Sequence, residues 1–534
     1  MNKRHNPCTG SLPERLAVML LAALLPAGAA AQTPYDRAVQ QNLWNDGRNI
    51  AGLRTADTTL AEYGTQPRWR AVSYAELGGR YRQGGFKDLH EGRSSWQAGA
   101  VTKTEVHAGK TSMIGAFSFD QTQAQEACGP MFIEPGKWPF DLLEFTPGGR
   151  TLQQYAFSGG IARDLSDRWT LGSRTDFRSA NYAKRKDLRH TNYALDLTVT
   201  PSLLFRPGRR VRLGLSGILG KSTESVKAEQ IGSANTESYY AFLDKGLMYG
   251  SYEVWNGSGV HLDEAGVNRF PVTQYRYGGA FQLGWKDLYA DVEYLRSEGT
   301  VGEKGYTWFR FPGQAWTAQL GYKAVRPGGT HLFRLQYVWK QQILDESVWD
   351  KVTEGGITTP QVYDANRVFE RRRMAVAPSW QYIGKNRFEM SVGAELSWWK
   401  ERSSLVYPYT DTDGSGLLDT KADLTWHLGP VDLGLAVRWF DPILTDTEKT
   451  IDLLLPDPLA PSRAYRLTDW YHLRYEYRTA GRIGGDVRIR WNFSVGQVRN
   501  LYAEAAGSYL RALSFAYAEG PDRLGGQLKL GYNF

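Results

Sequence analysis

Cysteine is nearly missing from this chain: its 534 residues hold two, Cys8 and Cys128. Cys8 precedes an apolar run, LAVMLLAALL (16–25), flanked by Lys3, Arg4 and Arg15 on one side and by the small residues Ala29 to Ala31 on the other. That layout is a secretory signal peptide with an A-x-A site, so residues 1–31 are expected to be removed. Cys8 lies before the run, where no lipid would be attached, and a mature chain with Cys128 alone has no internal disulfide and no paired-cysteine cofactor motif. Long apolar runs are missing too. Nothing after the leader approaches the ~18 residues a membrane-crossing helix needs, which excludes a helical membrane protein. Nor does one sign of charge dominate, because 64 Lys and Arg are interleaved with 56 Asp and Glu, for a formal +8. That pattern asks for no nucleic acid; on an exported protein it fits a solvated surface facing lipopolysaccharide.

What the chain has in quantity is glycine and aromatic residues: 57 Gly, 30 Tyr and 18 Trp, at a mean hydropathy of -0.46. Polar on average yet aromatic-rich, it suits a β protein that shows aromatics to something other than water. From Arg70 onward, segments of roughly ten residues alternate apolar and polar side chains, the period of a strand and not of a helix. In RLGGQLKLGYNF (523–534), Leu524, Leu528, Leu530, Tyr532 and Phe534 share one face, and Arg523, Gln527, Lys529 and Asn533 the other. A strand of this kind ending on Phe resembles the carboxy-terminal assembly signal of bacterial outer-membrane barrels, and it implies the barrel assembly machinery as a partner. The links alternate as well. Short ones fall at 103–110, 164–168, 206–210, 285–287, 326–329, 384–387, 428–432 and 496–500, and long ones between them, including 225–273, 342–370, 403–419 and 441–482. The expectation is an all-β fold, a transmembrane antiparallel outer-membrane barrel of about eighteen strands, sixteen at the fewest, with short periplasmic turns and long extracellular loops. It would span residues 69–534, after a periplasmic or luminal plug-like segment at 32–68.

Alternation also assigns the lumen. Arg174, Asp176, Arg276, Asp291, Glu293, Arg334, Arg488 and Arg490 fall on the polar face, a mixture that suits a water-filled or plugged pore as well as charges pairing across strands. The longest loop brings Tyr239, Tyr240, Phe242, Tyr249, Tyr252 and Trp255 close in sequence, a candidate surface for a sugar, a peptide or an apolar ligand, or else loop packing. The basic clusters Lys184–His190 and Arg371–Arg373 at outer strand ends suit lipopolysaccharide phosphates. DTDGSGLLD (411–419) follows the first nine positions of a calcium loop, with Asp411, Asp413 and Asp419 as oxygen ligands, but position twelve is Ala422. The segments on either side alternate like strands, so an EF-hand is excluded. The reading left is a surface loop at the outer rim that binds calcium adventitiously or simply turns. No motif calls for a cofactor, and no His stands in a recognisable hydrolase spacing, although a triad is a matter of geometry and not of order.

The segments LWNDGRNIAGL (43–53), WPFDLLEFTPGG (138–149), LGSRTDFRSANY (171–182) and KRKDLRHTNYALDLTVTPSLLF (184–205) resemble an uncharacterised family of Bacteroidota outer-membrane β-barrel proteins over most of the mature chain. The resemblance implies fold and cell outer membrane location, and no activity or catalytic residue. NIAGL (49–53) is also similar to the NPAGL near the start of long-chain fatty-acid transporters, with Ile50 in place of proline and more strands expected here. What carries over is the idea of an amino-terminal plug. Three expected functions follow in order: a channel or accessory in transport and nutrient uptake, with a TonB-dependent system as a candidate partner; a non-conducting surface binding or assembly protein with a plugged lumen; and a barrel-embedded hydrolase.

Overall fold

The computed structural model describes residues 49–55, 69–186, 188–229, 240–254, 269–303, 306–385, 388–406, 409–446 and 461–533. The alternating segments are strands: β1 (Trp69–Gly84), β2 (Ser94–Ala108), β3 (Thr111–Pro130), β4 (Asp141–Asp164), β5 (Trp169–Lys184), β6 (Arg189–Gly208) and β7 (Val211–Glu229). A small hairpin follows, β8 (Tyr240–Asp244) and β9 (Gly250–Val254). The wall resumes with β10 (Arg269–Trp285), β11 (Leu288–Glu303), β12 (Tyr306–Arg326), β13 (Gly329–Glu354), β14 (Ile357–Gly384), β15 (Phe388–Val406), β16 (Tyr409–Leu428) and β17 (Val431–Asp446). Helix α1 (Pro461–Thr479) then intervenes before β18 (Arg482–Val495), β19 (Val498–Ala512) and β20 (Asp522–Asn533).

Each wall strand pairs antiparallel with the next; β7 pairs directly with β10, and β20 returns to β1 from Tyr74↔Asn533 to Gly84↔Arg523. The result is a closed barrel of eighteen strands, as the alternation predicts, with no sheet edge left facing hydrocarbon. Seven of the eight short links hold tight turns at one end of the barrel, the first reduced to residues 109–110 because 103–108 completes β2; residues 386–387 of the remaining link, 384–387, lie outside the described residues. On β20 the outward Leu524, Leu528 and Leu530 are exposed while Arg523, Gln527 and Lys529 turn inward. Outward aromatics form two belts, Trp169, Trp285, Tyr322 and Phe388 near the turns and Tyr193, Tyr277, Trp316, Trp439 and Tyr509 toward the loops, as lipid interfaces favour.

Two long links differ from expectation. Residues 342–370 are the upper halves of β13 and β14, which pair with each other out to Glu354↔Ile357, beyond the last pairings of β12 at Glu346 and β15 at Phe369. Residues 411–419 lie within β16, in register with Ser403 to Glu395 of β15, so DTDGSGLLD is wall and not a calcium-loop turn. Backbone pairing on both sides leaves it no loop to form. Asp419 binds Arg438 of β17 through both carboxylate oxygens, which occupies the group that would have served calcium. The side chains of Asp411 and Asp413, and Phe534, lie outside what is described.

The seam between first and last strands is fixed by an aromatic side chain over a glycine. Tyr502 of β19 lies flat on Gly531, its hydroxyl donates to Glu76 of β1 at 2.8 Å, and the Arg490 guanidinium sits 3.7 Å above the ring. A Cβ at Gly531 would stand 2.0 Å from Tyr502 Cζ, whereas one at the outward Gly526 would meet open space. Gly531→Val is expected to destabilise the folded barrel by about 1–3 kcal/mol while Gly526→Val changes little. Urea titration of the barrel in micelles, followed by heat-modifiable gel mobility, measures the difference.

Candidate functional site

The chain's buried apolar core is inside the lumen, at the loop end. After β3 leaves the wall at Pro130, residues 131–140 turn inward and carry Met131, Phe132, Trp138 and Phe140 against Phe270, Phe309 and Phe311 of β10 and β12. Phe140 lies 5.9 Å from Phe270, and Trp138 meets Phe311 edge-on at 5.5 Å. Beside this layer the β8–β9 hairpin adds to the start of β4, Asp141↔Asp244 to Leu143↔Phe242. Helix α1 covers the hairpin, with Trp470 stacked on Phe145 at 5.2 Å and Leu467 and Tyr471 buried beside them. Loop, hairpin and helix together make a cap with its own core.

Polar wall residues hold the cap. Glu224 of β7 accepts from the Ile133 amide at 2.8 Å, the Trp138 indole at 3.2 Å and Asn192 at 3.0 Å, and Asn192 also donates to Met131 O at 2.8 Å. Arg371 of β14 donates to Gly136 O at 2.6 Å and faces Glu401 of β15 at 3.8 Å; Glu401 receives Arg478 of α1 at 3.1 Å. Arg474, one turn earlier, stands 3.4 Å from Asp244 and 3.9 Å from Asp141. At the foot of the cap Glu144 is fully buried between Arg150, at 2.6 Å, and Lys184.

These contacts reassign several expected sites. Phe242 and Tyr252 face each other at 5.2 Å inside the cap and are not offered to the outside. Tyr249 sits in the β8–β9 turn, Tyr240 begins β8 with its side chain outside the described set, and Tyr239 and Trp255 lie outside the described residues. Arg371 points into the lumen and Lys184 is buried on Glu144, so neither is placed to meet lipopolysaccharide phosphates. Arg474, Arg478 and Glu401 were not anticipated. Leu467, Trp470, Tyr471 and Tyr475, at helical spacing within a segment read as loop, were the available signal.

Below the cap the eight expected lumen residues all lie on the inner face, spread around the wall rather than gathered. Arg174 pairs with Asp176 at 2.7 Å and Arg276 with Asp196 at 2.5 Å; Asp291 accepts from Gln282 at 3.0 Å. Glu293 faces Thr317 in the β11–β12 register, Arg490 covers Tyr502, and Arg488 reaches Thr425 Oγ1 at 3.1 Å. Arg334 borders a cavity of about 550 Å³ with Asp419 and Arg438, and Arg488 one of about 430 Å³.

At the turn end, part of the segment expected as a plug is seen. Asn49–Thr55 sits inside the barrel, where Asn49 Nδ2 donates to Gln282 Oε1 at 3.0 Å and to Leu203 O at 3.3 Å. Ile50 enters a gap that exists because Gly160 and Gly172 have no side chain: a Cβ at either would stand 2.1 or 2.6 Å from it. The rest of 32–68 lies outside the described residues.

One histidine has triad-like neighbours. His107 Nδ1 is 2.8 Å from Ser112 Oγ and its Nε2 2.8 Å from Glu105 Oε1, but Ser112 has no exposure, so the group ties the β2–β3 turn together and offers no nucleophile to a substrate. Among the described residues, no His, Cys, Asp and Glu cluster has metal-binding geometry.

The sequence from residue 60 to 534 matches the model of a family of unknown function (DUF6850), and the chain belongs to that family. It matches no curated protein. In shape it is similar to the FrpB iron transporter of Neisseria meningitidis, F3-3 variant, at 9% identity over 88% of this chain and 82% of that one, with a TM-score of 0.45. Acinetobacter baumannii OccAB1 (9% identity, 87% and 96%, TM-score 0.38) and Pseudomonas aeruginosa OpdQ (10%, 87% and 97%, 0.35) are similar in the same way. The fold rests on the strand pairing and not on these likenesses.

Burial sets the electrostatics of the cap. It pushes the Asp141 carboxyl up to about 7, against the pull of Arg474 and with the help of the Asp244 carboxylate, which burial raises too. An acid raised above its ordinary 3.8 favours the folded cap while protonated, so that stability is full below pH ~4 and drains as pH rises toward 7. Hydrogen exchange of residues 467–479 is expected to speed up between pH 5 and 8, after intrinsic correction, by up to about a hundredfold. Asp141→Asn should flatten that dependence and slow exchange at pH 8.

Proposed function

We propose that this chain is an outer-membrane β-barrel working in solute uptake, as a channel whose outer mouth is closed by a built-in cap. The observation that carries this reading is the contrast between the two halves of the lumen. The outer half is filled by an apolar core of inserted segments, whereas below it the wall keeps exposed Arg488 and Arg438 and half-buried Arg334 around cavities of about 430 and 550 Å³. A barrel that served only as a surface anchor has no use for a solvated charged interior beneath a cap. Lipopolysaccharide around the outer half of the wall, the barrel assembly machinery during insertion and a TonB-dependent uptake system nearby are the partners that fit this role. The second reading, a non-conducting surface binding protein, draws on the depth of the cap's own core.

Planar-bilayer recording separates the two. The parent is expected to be mostly closed, and Arg371→Ala with Arg478→Ala, which strands Glu401 without its cations, to open for sustained periods. Silence from both folded proteins would sink the channel reading and leave the binding protein.

A further inference from the structure

The geometry points to a binding cradle for a small oxyanion, a carboxylate or phosphate solute, on the lumen wall across the barrel seam, formed by Arg80, Arg82 and Arg488. It deepens the uptake reading by naming a substrate class, and its chemistry is separate from the cap's.

Register places these residues. Arg80 of β1 lies opposite Gln527 of β20, Gln527 opposite Ala506 of β19, and Ala506 opposite Arg488 of β18. One row toward the loops, Arg82, Gly525, Ser508 and Asp486 follow in the same order. Three strand spacings separate the flanking arginines, about 14 Å between backbones, which two extended guanidinium side chains span from opposite sides. The floor between them is kept low by Ala506, Ser508 and Gly525; a Cβ at Gly525 would stand 2.3 Å from Ser508 Oγ. All these residues line the cavity of about 430 Å³.

Charge supplies the second argument. Among the described residues Arg80 and Arg82 have no hydrogen-bond or ion-pair partner, and Arg488 has the neutral Thr425 hydroxyl. The neighbouring acids are already engaged: Glu76 by Lys529 at 3.1 Å, Asp423 by Lys421 at 3.0 Å and Glu91 by Arg523 at 2.5 Å. The cavity lining carries five cations against three carboxylates, of which Asp486 and Glu504 remain to meet a hydroxyl or amine of the same solute. Arg80 and Arg82 point to the same side two residues apart, a like-charge pair that an oxyanion would relieve through bidentate hydrogen bonds. Arg82 also borders a second cavity, of about 170 Å³, with Lys87, Arg93 and Arg523 beside the cap, so cations continue from the cap margin to the cradle.

Calorimetric titration of the full-length protein in micelles, with succinate, inorganic phosphate and glucose as probes, tests this. The parent should bind one or both anions and not glucose, and Arg80→Gln with Arg488→Gln should weaken the anion by at least about tenfold. Removing like charges from a solvated wall leaves the strand pairing intact, and unchanged heat-modifiable mobility verifies that. No anion heat in the parent, equal affinity in parent and variant, or glucose binding as tightly as the anions would each overturn the cradle. Bilayer conductance is read separately: anion binding with both the parent and the Arg371→Ala, Arg478→Ala variant silent sinks the uptake reading and keeps the cradle, and conductance without anion binding does the reverse.

Discussion

In hydrocarbon every backbone N–H and C=O must find its partner within the protein, and the pairing of β1 with β20 is what lets this chain meet that condition. Closure at eighteen strands has a consequence for the interior. A barrel of this width is wider than side chains from its own wall can fill, so the lumen holds either water or additional protein. Here it holds both, at different heights. The wall residues below the cap are charged because water reaches them; those facing the cap, such as Phe270, Val272, Phe309 and Phe311, are apolar because protein does.

Sending chain into the lumen takes it away from the ladder that satisfied it, and the cap replaces those bonds with buried charged groups. Where β3 gives way to β4, the ladder slips between Ala124, Ala127 and Gly129, and Glu126 takes a positive φ of 57°. Just there Arg150 donates to Pro130 O at 2.9 Å, and Glu144 takes Arg150 on one oxygen and Lys184 with the Thr146 amide on the other. A buried ion set is a weak source of net stability, since desolvation offsets most of the attraction, but losing one member strands the others at a cost of several kcal/mol. Such a set therefore acts mainly to select one geometry. Glu224, with three donors from two elements, does the same for residues 131–140.

The wall was legible because its determinants are local. Period-two alternation is set by the pleat, and turns such as RPGG by residues that tolerate tight reversals, so each strand and turn can be read from a dozen residues. The cap was not legible, because its determinants are pairs far apart in sequence: Arg371 with Gly136, Asp244 with Arg474, Glu401 with Arg478. Loop aromatics such as Phe242 and Tyr252 have the same composition whether they face solvent or a core. DTDGSGLLD misled for the opposite reason. Its Asp and Gly favour turns locally, but flanking strands on both sides supply ladder partners, and tertiary pairing overrode local propensity. Of the seam arginines only Arg488 was read as inward-facing, and its convergence with Arg80 and Arg82 on one trough depended on a register that joins residue 80 to residue 527.

The connectivity of the cap constrains how it can move. Residues 131–140 run directly from β3 into β4, and the β8–β9 hairpin hangs on the first residues of β4, so these parts are continuous with the wall and cannot leave the lumen as a detached plug does. In the proposed channel, opening would be a local rearrangement within an intact barrel, its free energy set by the cap's own core and by the Arg371, Glu401, Arg474 and Arg478 contacts rather than by the stability of the wall. The two quantities can be adjusted independently: a lipid-facing or seam residue acts on the wall, whereas a charge under α1 acts on the packing of the cap. In the channel proposed above, that separation would let the cap rearrange while the barrel persists.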